Sequence, residues 1–89
     1  MTLGPVGQLI TQKLTDAFSP TNLKVIDESH KHAGHVGARP EGETHFRVEI
    51  VAEAFGGKSL VQRHRLINQA LAEELADRVH ALSISAIGP

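Results

Sequence analysis

The 89-residue sequence contains no cysteine, no tryptophan and no tyrosine, and only three phenylalanines. Without cysteine the chain can form neither a disulfide bond nor a thiolate ligand, so any metal ligand of its own must be a histidine or a carboxylate. With so few aromatic side chains, the core must consist of leucine, isoleucine, valine and alanine. Tryptophan and tyrosine are also missing as platforms on which nucleic-acid bases could stack.

A strong net charge is missing as well, because the formal net charge is −1. Nucleic-acid-binding domains usually carry a basic excess, so the total charge gives such a function weak support and leaves only a local basic stripe open. The first residues, MTLGPVGQLI, lack a basic region and a long apolar run. They predict neither a signal peptide nor a membrane span, and we expect a cytoplasmic protein with one domain over residues 1–89.

Apolar spacing predicts a helix followed by a strand in the first third of the chain. Between Val6 and Phe18, apolar residues recur at steps of three and four residues, as on one face of a helix. Pro5 suits the first turn of this helix, and Ser19-Pro20 should end it. The segment LKVID, residues 23–27, alternates and predicts a strand.

The second strand is predicted from the alternation in THFRVEIV, residues 44–51. Phe46, Val48 and Ile50 share the face expected to enter the core, while His45 falls on the opposite face. The two strands should form an antiparallel hairpin with a long loop that carries several glycines. On this pattern alone, His45 points away from the core and has a structural or incidental role.

The last part of the chain predicts a second helix and a third strand. AEAF, residues 52–55, predicts a short helical turn, and Ser59 with Gln62 forms a capping-box pattern before a helix that reaches about Ala76. VHALSISAI, residues 79–87, alternates again. The order predicts an α+β fold in which both helices cover one face of a three-stranded mixed sheet.

Four of the six histidines lie between Asp27 and Phe46. They are His30, His32, His35 and His45. His30 and His32 could chelate a divalent ion if they continued the preceding strand, whereas solvated side chains without a role explain an isolated His-x-His pair equally well. The pattern by itself favours a partly buried structural role for His80, at the start of the last strand.

The segments VIDESHKHAG, ETHFRVEIV, FGGKSLVQRHRLINQALAEEL and VHALSISA closely resemble the BolA family. The resemblance extends from about Leu9 to the C-terminus, and its most specific parts are Arg63-His64-Arg65 and Val79-His80-Ala81-Leu82. It implies a fold similar to a class II KH domain, with the order α-β-β-α-β.

The resemblance also implies a function as an adaptor that pairs with a monothiol glutaredoxin around a bridging [2Fe–2S] cluster, in iron–sulfur trafficking or iron-status signalling. The partner and its glutathione would provide thiolates, and this chain would provide His80 and a loop histidine. His32 matches the family's loop position best, with His35 and then His30 as alternatives. Imidazole can replace thiolate on one iron of such a cluster. No cluster is expected on the isolated chain.

A second function implied by the resemblance is DNA-binding transcriptional regulation, which some bacterial members are described as performing in the stress response. A basic patch on the long helix would face DNA or a partner protein. Its residues are Lys58, Arg63, His64 and Arg65. The alternative is a solvated helix face whose cations pair with Glu73 and Glu74.

The sequence favours neither a KH-type nucleic-acid clamp nor an enzyme. A KH domain grips the nucleic-acid backbone with a GXXG loop before its long helix, whereas the match at residues 34–37 lies between two strands. A cysteine nucleophile and the G-x-S-x-G, P-loop and HExxH motifs are absent from the sequence. Ser59 is better explained as a helix cap than as a nucleophile.

Overall fold

A computed structural model describes residues 3–29, 43–77 and 79–88. Three strands form one sheet with β2 in the centre, antiparallel to β1 and parallel to β3. The strands are β1 (Asn22–Asp27), β2 (His45–Val51) and β3 (Ala81–Ile87). The predicted α+β class and mixed three-stranded sheet are confirmed.

The helices are α1 (Pro5–Phe18), α2 (Leu60–Ala70) and α3 (Ala72–Ala76), and a 3₁₀ turn spans Glu53–Phe55. Helix α1 packs on β1, and α2 packs on β3 and on α1. The predicted single long helix changes its backbone angles at Leu71, where φ is −108° and ψ is 19°. Because Leu71 still donates to Ile67 and accepts from Leu75, α3 continues the path of α2.

The core lies between the helices and the inner face of β2. Alternation along β2 buries Phe46, Val48 and Ile50, and the rings of Phe18 and Phe55 pack with centroids 5.0 Å apart. Each such large apolar side chain stabilises the fold by about 1.5–3 kcal/mol. Helices contribute the remaining large buried side chains, which are Ile10, Leu14, Ile67 and Leu71.

Both predicted helix starts are confirmed, and the second has a complete capping box. Ser59 Oγ accepts from the Gln62 backbone N–H at 3.2 Å, and Gln62 Oε1 accepts from the Ser59 N–H at 2.9 Å. Helix α1 begins at Pro5, and its third residue, Gly7, donates its N–H to Glu43 Oε2 at 2.9 Å. A side chain at Gly4 would overlap the same carboxylate, so a larger residue there would require the Glu43 side chain to move.

Two details of the sequence prediction are wrong. Leu9 was expected in the apolar face of α1 but is 42% exposed, because the buried stripe passes through Ile10 and Leu14 instead. The last strand begins at Ala81, so His80 lies before it and is exposed rather than partly buried. Strand alternation does not govern a residue outside the strand.

Candidate functional site

The two ends of the segment between β1 and β2 are joined by side-chain hydrogen bonds. Asp27 accepts from the Ser29 N–H at 2.9 Å and from the Glu43 N–H at 3.2 Å. Buried Ser29 accepts through its Oγ from the backbone N–H groups of Thr44 at 2.9 Å and His45 at 3.2 Å. Hydrogen bonds therefore hold residues 29 and 43–45 together. These residues form a fixed base for the segment between them, because they lie at its two ends.

Thr44 connects this base to the start of β3. Its carbonyl oxygen accepts from the backbone N–H groups of His80 at 2.7 Å and Ala81 at 3.1 Å. Its hydroxyl lies 2.9 Å from His45 Nδ1 and 3.4 Å from Ser29 Oγ. Thr44 is 1% exposed, so these hydrogen bonds are shielded from water and hold three segments of backbone in register.

His45 and His80 form a pair at this end of the sheet. Their ring centroids lie 5.3 Å apart with the planes inclined by 52°. His45 occupies the predicted outward face of β2 but is only 6% exposed, which favours the structural role over the incidental one. Strand alternation predicted its face correctly but could not predict that Ser29, Thr44 and His80 would surround it.

His80 combines a fixed backbone with an accessible side chain. Its backbone is fixed by the bond to Thr44, whereas its side chain is exposed. The other predicted ligands, His30, His32 and His35, lie outside the described residues. Across the described ranges, no group of three or more histidines and carboxylates is arranged to hold a metal ion.

The arginines of α2 differ in their surroundings. Arg63 donates from Nε to the Lys58 carbonyl oxygen at 3.0 Å and from Nη1 to the Ala86 carbonyl oxygen at 2.8 Å. It therefore links the start of α2 to the end of β3. Arg65 is exposed, and His64 is half-buried.

Glu73 and Glu74, the alternative partners considered for these cations, form ion pairs with Lys13 instead. Lys13 Nζ lies 2.8 Å from Glu74 Oε2 and 3.9 Å from Glu73 Oε1, which links α1 to α3. Within the part of the chain that the structure describes, neither Lys58 nor Arg65 forms an ion pair. The alternative in which the α2 cations pair with Glu73 and Glu74 is therefore wrong.

No helix in the described ranges is both long enough and apolar enough to cross a membrane.

Comparisons with known proteins agree on one family. Residues 14–89 match the model of the BolA family, described as BolA-like protein. The chain is 51% identical to a putative BolA-like protein of Caenorhabditis elegans over 94% of its own length and 74% of the relative's. It is 48% identical to the DNA-binding transcriptional regulator BolA of Vibrio cholerae, with coverages of 89% and 71%.

Comparison of the fold with solved structures points to the same family. The solved structure of the BolA domain of SufE1 from Arabidopsis thaliana superposes with a TM-score of 0.90 at 50% identity, covering 99% of this chain and 96% of that one. The chain spans 24% of the length of the whole Arabidopsis SufE-like protein 1. On the family match, the sequence identities and the shared fold together, the chain belongs to the BolA-like family.

Proposed function

We propose that this BolA-like protein is an adaptor that pairs with a monothiol glutaredoxin and supplies histidine ligands to a bridging [2Fe–2S] cluster. The proposed ligands are His80 and one loop histidine, with His32 as the first choice and His35 or His30 as alternatives. The role is one of binding rather than catalysis, in cluster trafficking or iron-status signalling.

The placement of His80 carries this proposal. Its side chain is exposed and open to a docking partner, while its backbone N–H is bonded to the carbonyl oxygen of buried Thr44. A ligand on a fixed backbone keeps its geometry when the partner binds. The fixed base at Ser29 and Thr44 begins and ends the histidine-bearing segment at the same end of the sheet as His80.

The side chains of this protein offer the imidazole ligands, but not the thiolate ligands, of the proposed [2Fe–2S] site. The chain has histidines but no cysteine, so it offers imidazoles and requires thiolates from elsewhere. A [2Fe–2S] centre held partly by imidazole has a higher reduction potential than one held by thiolates alone. His80 would bind through its ring, His45 would pack beside it, and Thr44 would hold both segments.

Expression of the chain alone and with a monothiol glutaredoxin tests the proposal. We expect the isolated chain to be colourless and free of stoichiometric iron. The co-expressed pair should purify as a heterodimer whose visible absorption differs from that of the glutaredoxin homodimer. Stoichiometric iron and sulfide on the isolated chain, or a heterodimer with an unchanged homodimer spectrum, would contradict a shared site.

The alternative function is DNA-binding regulation through the KH-like face and α2. The name of the Vibrio cholerae relative favours it, as do the exposed side chains of Lys58 and Arg65. The net charge of −1 argues against strong binding, because neutralised phosphates supply most of the affinity for DNA.

Fluorescence anisotropy with duplex DNA over a range of salt concentrations separates the two functions. We expect little sequence-selective binding near physiological salt. If DNA binding is the function, Lys58→Ala and Arg65→Ala should weaken it and reduce its dependence on salt, while Lys24→Ala on the sheet should not. Nanomolar, sequence-selective binding by the protein without a cluster would favour the alternative.

A further inference from the structure

A surface groove of about 260 Å³ lies along α2, and its lining combines cations, amides and one apolar side chain. The lining residues are Lys58, Gln62, Arg65, Leu66 and Gln69. Apart from Lys58, which precedes the helix, they recur at helical spacing and share one face of α2. Among the residues that the structure describes, no carboxylate lines the groove.

The two cations of the groove are not neutralised within the described ranges. Glu73 and Glu74 pair with Lys13. Arg63, whose guanidinium is bonded to two backbone carbonyl oxygens, is absent from the lining. The groove therefore presents two positive charges that have no ion-pair partner among the described residues.

Apolar surface accompanies these charges. Leu66 is half-buried in the groove, and Val61, one helical turn before Arg65, is 59% exposed. Gln62 is held by the capping box, so its position in the lining is fixed before any partner binds. Arginine beside apolar side chains, with polar groups at the edge, is a composition typical of protein interfaces.

We infer that this groove, the α2 groove, docks an acidic segment of a partner protein that places an apolar side chain between two carboxylates. Charge complementarity selects the acidic character, and Leu66, the apolar residue of the lining, selects the apolar side chain. A protein segment is favoured over nucleic acid because two unpaired cations neutralise few phosphates, whereas amide side chains can bond to a peptide backbone.

The dimensions suggest the form of the segment. Arg65 lies seven positions after Lys58, which corresponds to about 10 Å along a helix at ~1.5 Å per residue. A peptide in the polyproline II conformation covers about 9 Å in three residues, and because it has three residues per turn, side chains three positions apart share one face. Two glutamates three positions apart, with a leucine between them, therefore match the spacing of the cations.

The α2 groove is separate from the histidine pair. Arg63 joins the start of α2 to Ala86 near the end of β3, whereas His80 precedes the start of that strand. Because β3 is seven residues long, its end beside Arg63 lies about 20 Å from its beginning beside His80. Docking in the groove and cluster binding at His80 can therefore succeed or fail independently.

Titration of the ¹⁵N-labelled full chain with the blocked peptide Gly-Glu-Leu-Ser-Glu-Gly, followed by NMR, tests the inference. We expect shifts of the amide signals of the groove residues. The combined change Lys58→Glu and Arg65→Glu should weaken binding by about tenfold or more, since two attractions become repulsions. Lys24→Glu, an exposed charge reversal on β1, and His80→Ala should leave peptide binding unchanged.

Three results would overturn the inference. One is equal binding of the peptide with glutamine in place of both glutamates. Another is the absence of groove shifts up to millimolar peptide. The third is a short DNA duplex that shifts the same signals at lower concentration than the peptide, which would assign the groove to nucleic acid.

Discussion

The imidazole rings of His45 and His80 face each other across the end of the sheet, with centroids 5.3 Å apart, and one ring is buried while the other is exposed. This separation is typical of packed aromatic pairs. The ring of His45 thus packs beside the exposed ring of His80, and we call it the side wall of His80. The Nδ1 atom of His45 lies 2.9 Å from the Thr44 hydroxyl.

The first prediction concerns this side wall. We expect His45→Ala to fold and bind glutaredoxin but to lose the cluster faster than the wild type, because the His80 ring gains rotational freedom. His45→Phe keeps a ring beside His80 and should largely preserve the cluster lifetime, measured by the decay of visible absorption. A wild-type lifetime in His45→Ala would show that the wall has no effect.

The second prediction concerns the base of the loop. Ser29→Ala removes the oxygen that accepts from the N–H groups of Thr44 and His45, leaving two buried donors without that acceptor. We expect a loss of about 2–4 kcal/mol in the free energy of unfolding, measured with urea. Ser85→Ala, at an exposed position of β3, should change it by less than about 0.5 kcal/mol. Equal effects of the two substitutions would refute a structural role for Ser29.

The third prediction separates two arginines that the sequence grouped together. Arg63→Ala removes the bonds to the Lys58 and Ala86 carbonyl oxygens and should cost about 1–3 kcal/mol of unfolding free energy. Arg65→Ala removes an exposed side chain and should change stability by less than about 0.5 kcal/mol. Thermal and urea unfolding of both variants would measure this difference, and a reversed order would contradict it.

Alternation and spacing were sufficient to predict most of the fold. The core face of β2 and the capping box at Ser59 both depend on local periodicity or local hydrogen bonds, which a sequence displays directly. Position 9 was misassigned because several apolar residues surround the buried stripe of α1, and the spacing alone does not identify its centre.

Less of the candidate site than of the fold could be predicted from the sequence. His80 was predicted as a ligand from the family resemblance, whereas the packing of His45 against it was not predicted, because the two residues are 35 positions apart in the sequence. The roles of Ser29 and Thr44 also arise from contacts between distant segments. The ETHF segment, residues 43–46, could have indicated these contacts. Its polar residues Thr44 and His45 stand directly before Phe46, which lies in the core.

The fourth prediction concerns alkaline pH. The hydrogen bond to Glu74 raises the pKa of the Lys13 ammonium above its usual 10.5; desolvation opposes the shift, and attraction by Glu74 and Glu73 adds to it. Because the folded-state pKa is the higher one, protonated Lys13 stabilises the fold fully below about pH 10.5. This contribution is lost as the pH rises through the raised value.

Urea unfolding of Lys13→Met and the wild type at several pH values tests this. The variant should be less stable at neutral pH, and the difference should narrow above pH 10.5. Lys24→Met changes an exposed lysine and should show a difference from the wild type that stays small across the same range. A gap for Lys13→Met that stays constant through pH 11 would contradict the raised pKa.

The cluster lifetime in the glutaredoxin complex after single histidine substitutions tests the central claim most directly. Circular dichroism would confirm folding and gel filtration would confirm partner binding. We expect His80→Ala to lose the cluster fastest, and His32→Ala to change the visible spectrum and shorten the lifetime, with His35 or His30 partly substituting. His64→Ala, a histidine on α2, is the matched control and should behave as the wild type. If His80→Ala folds, binds glutaredoxin and keeps a wild-type spectrum and lifetime, His80 is not a ligand and the account is contradicted.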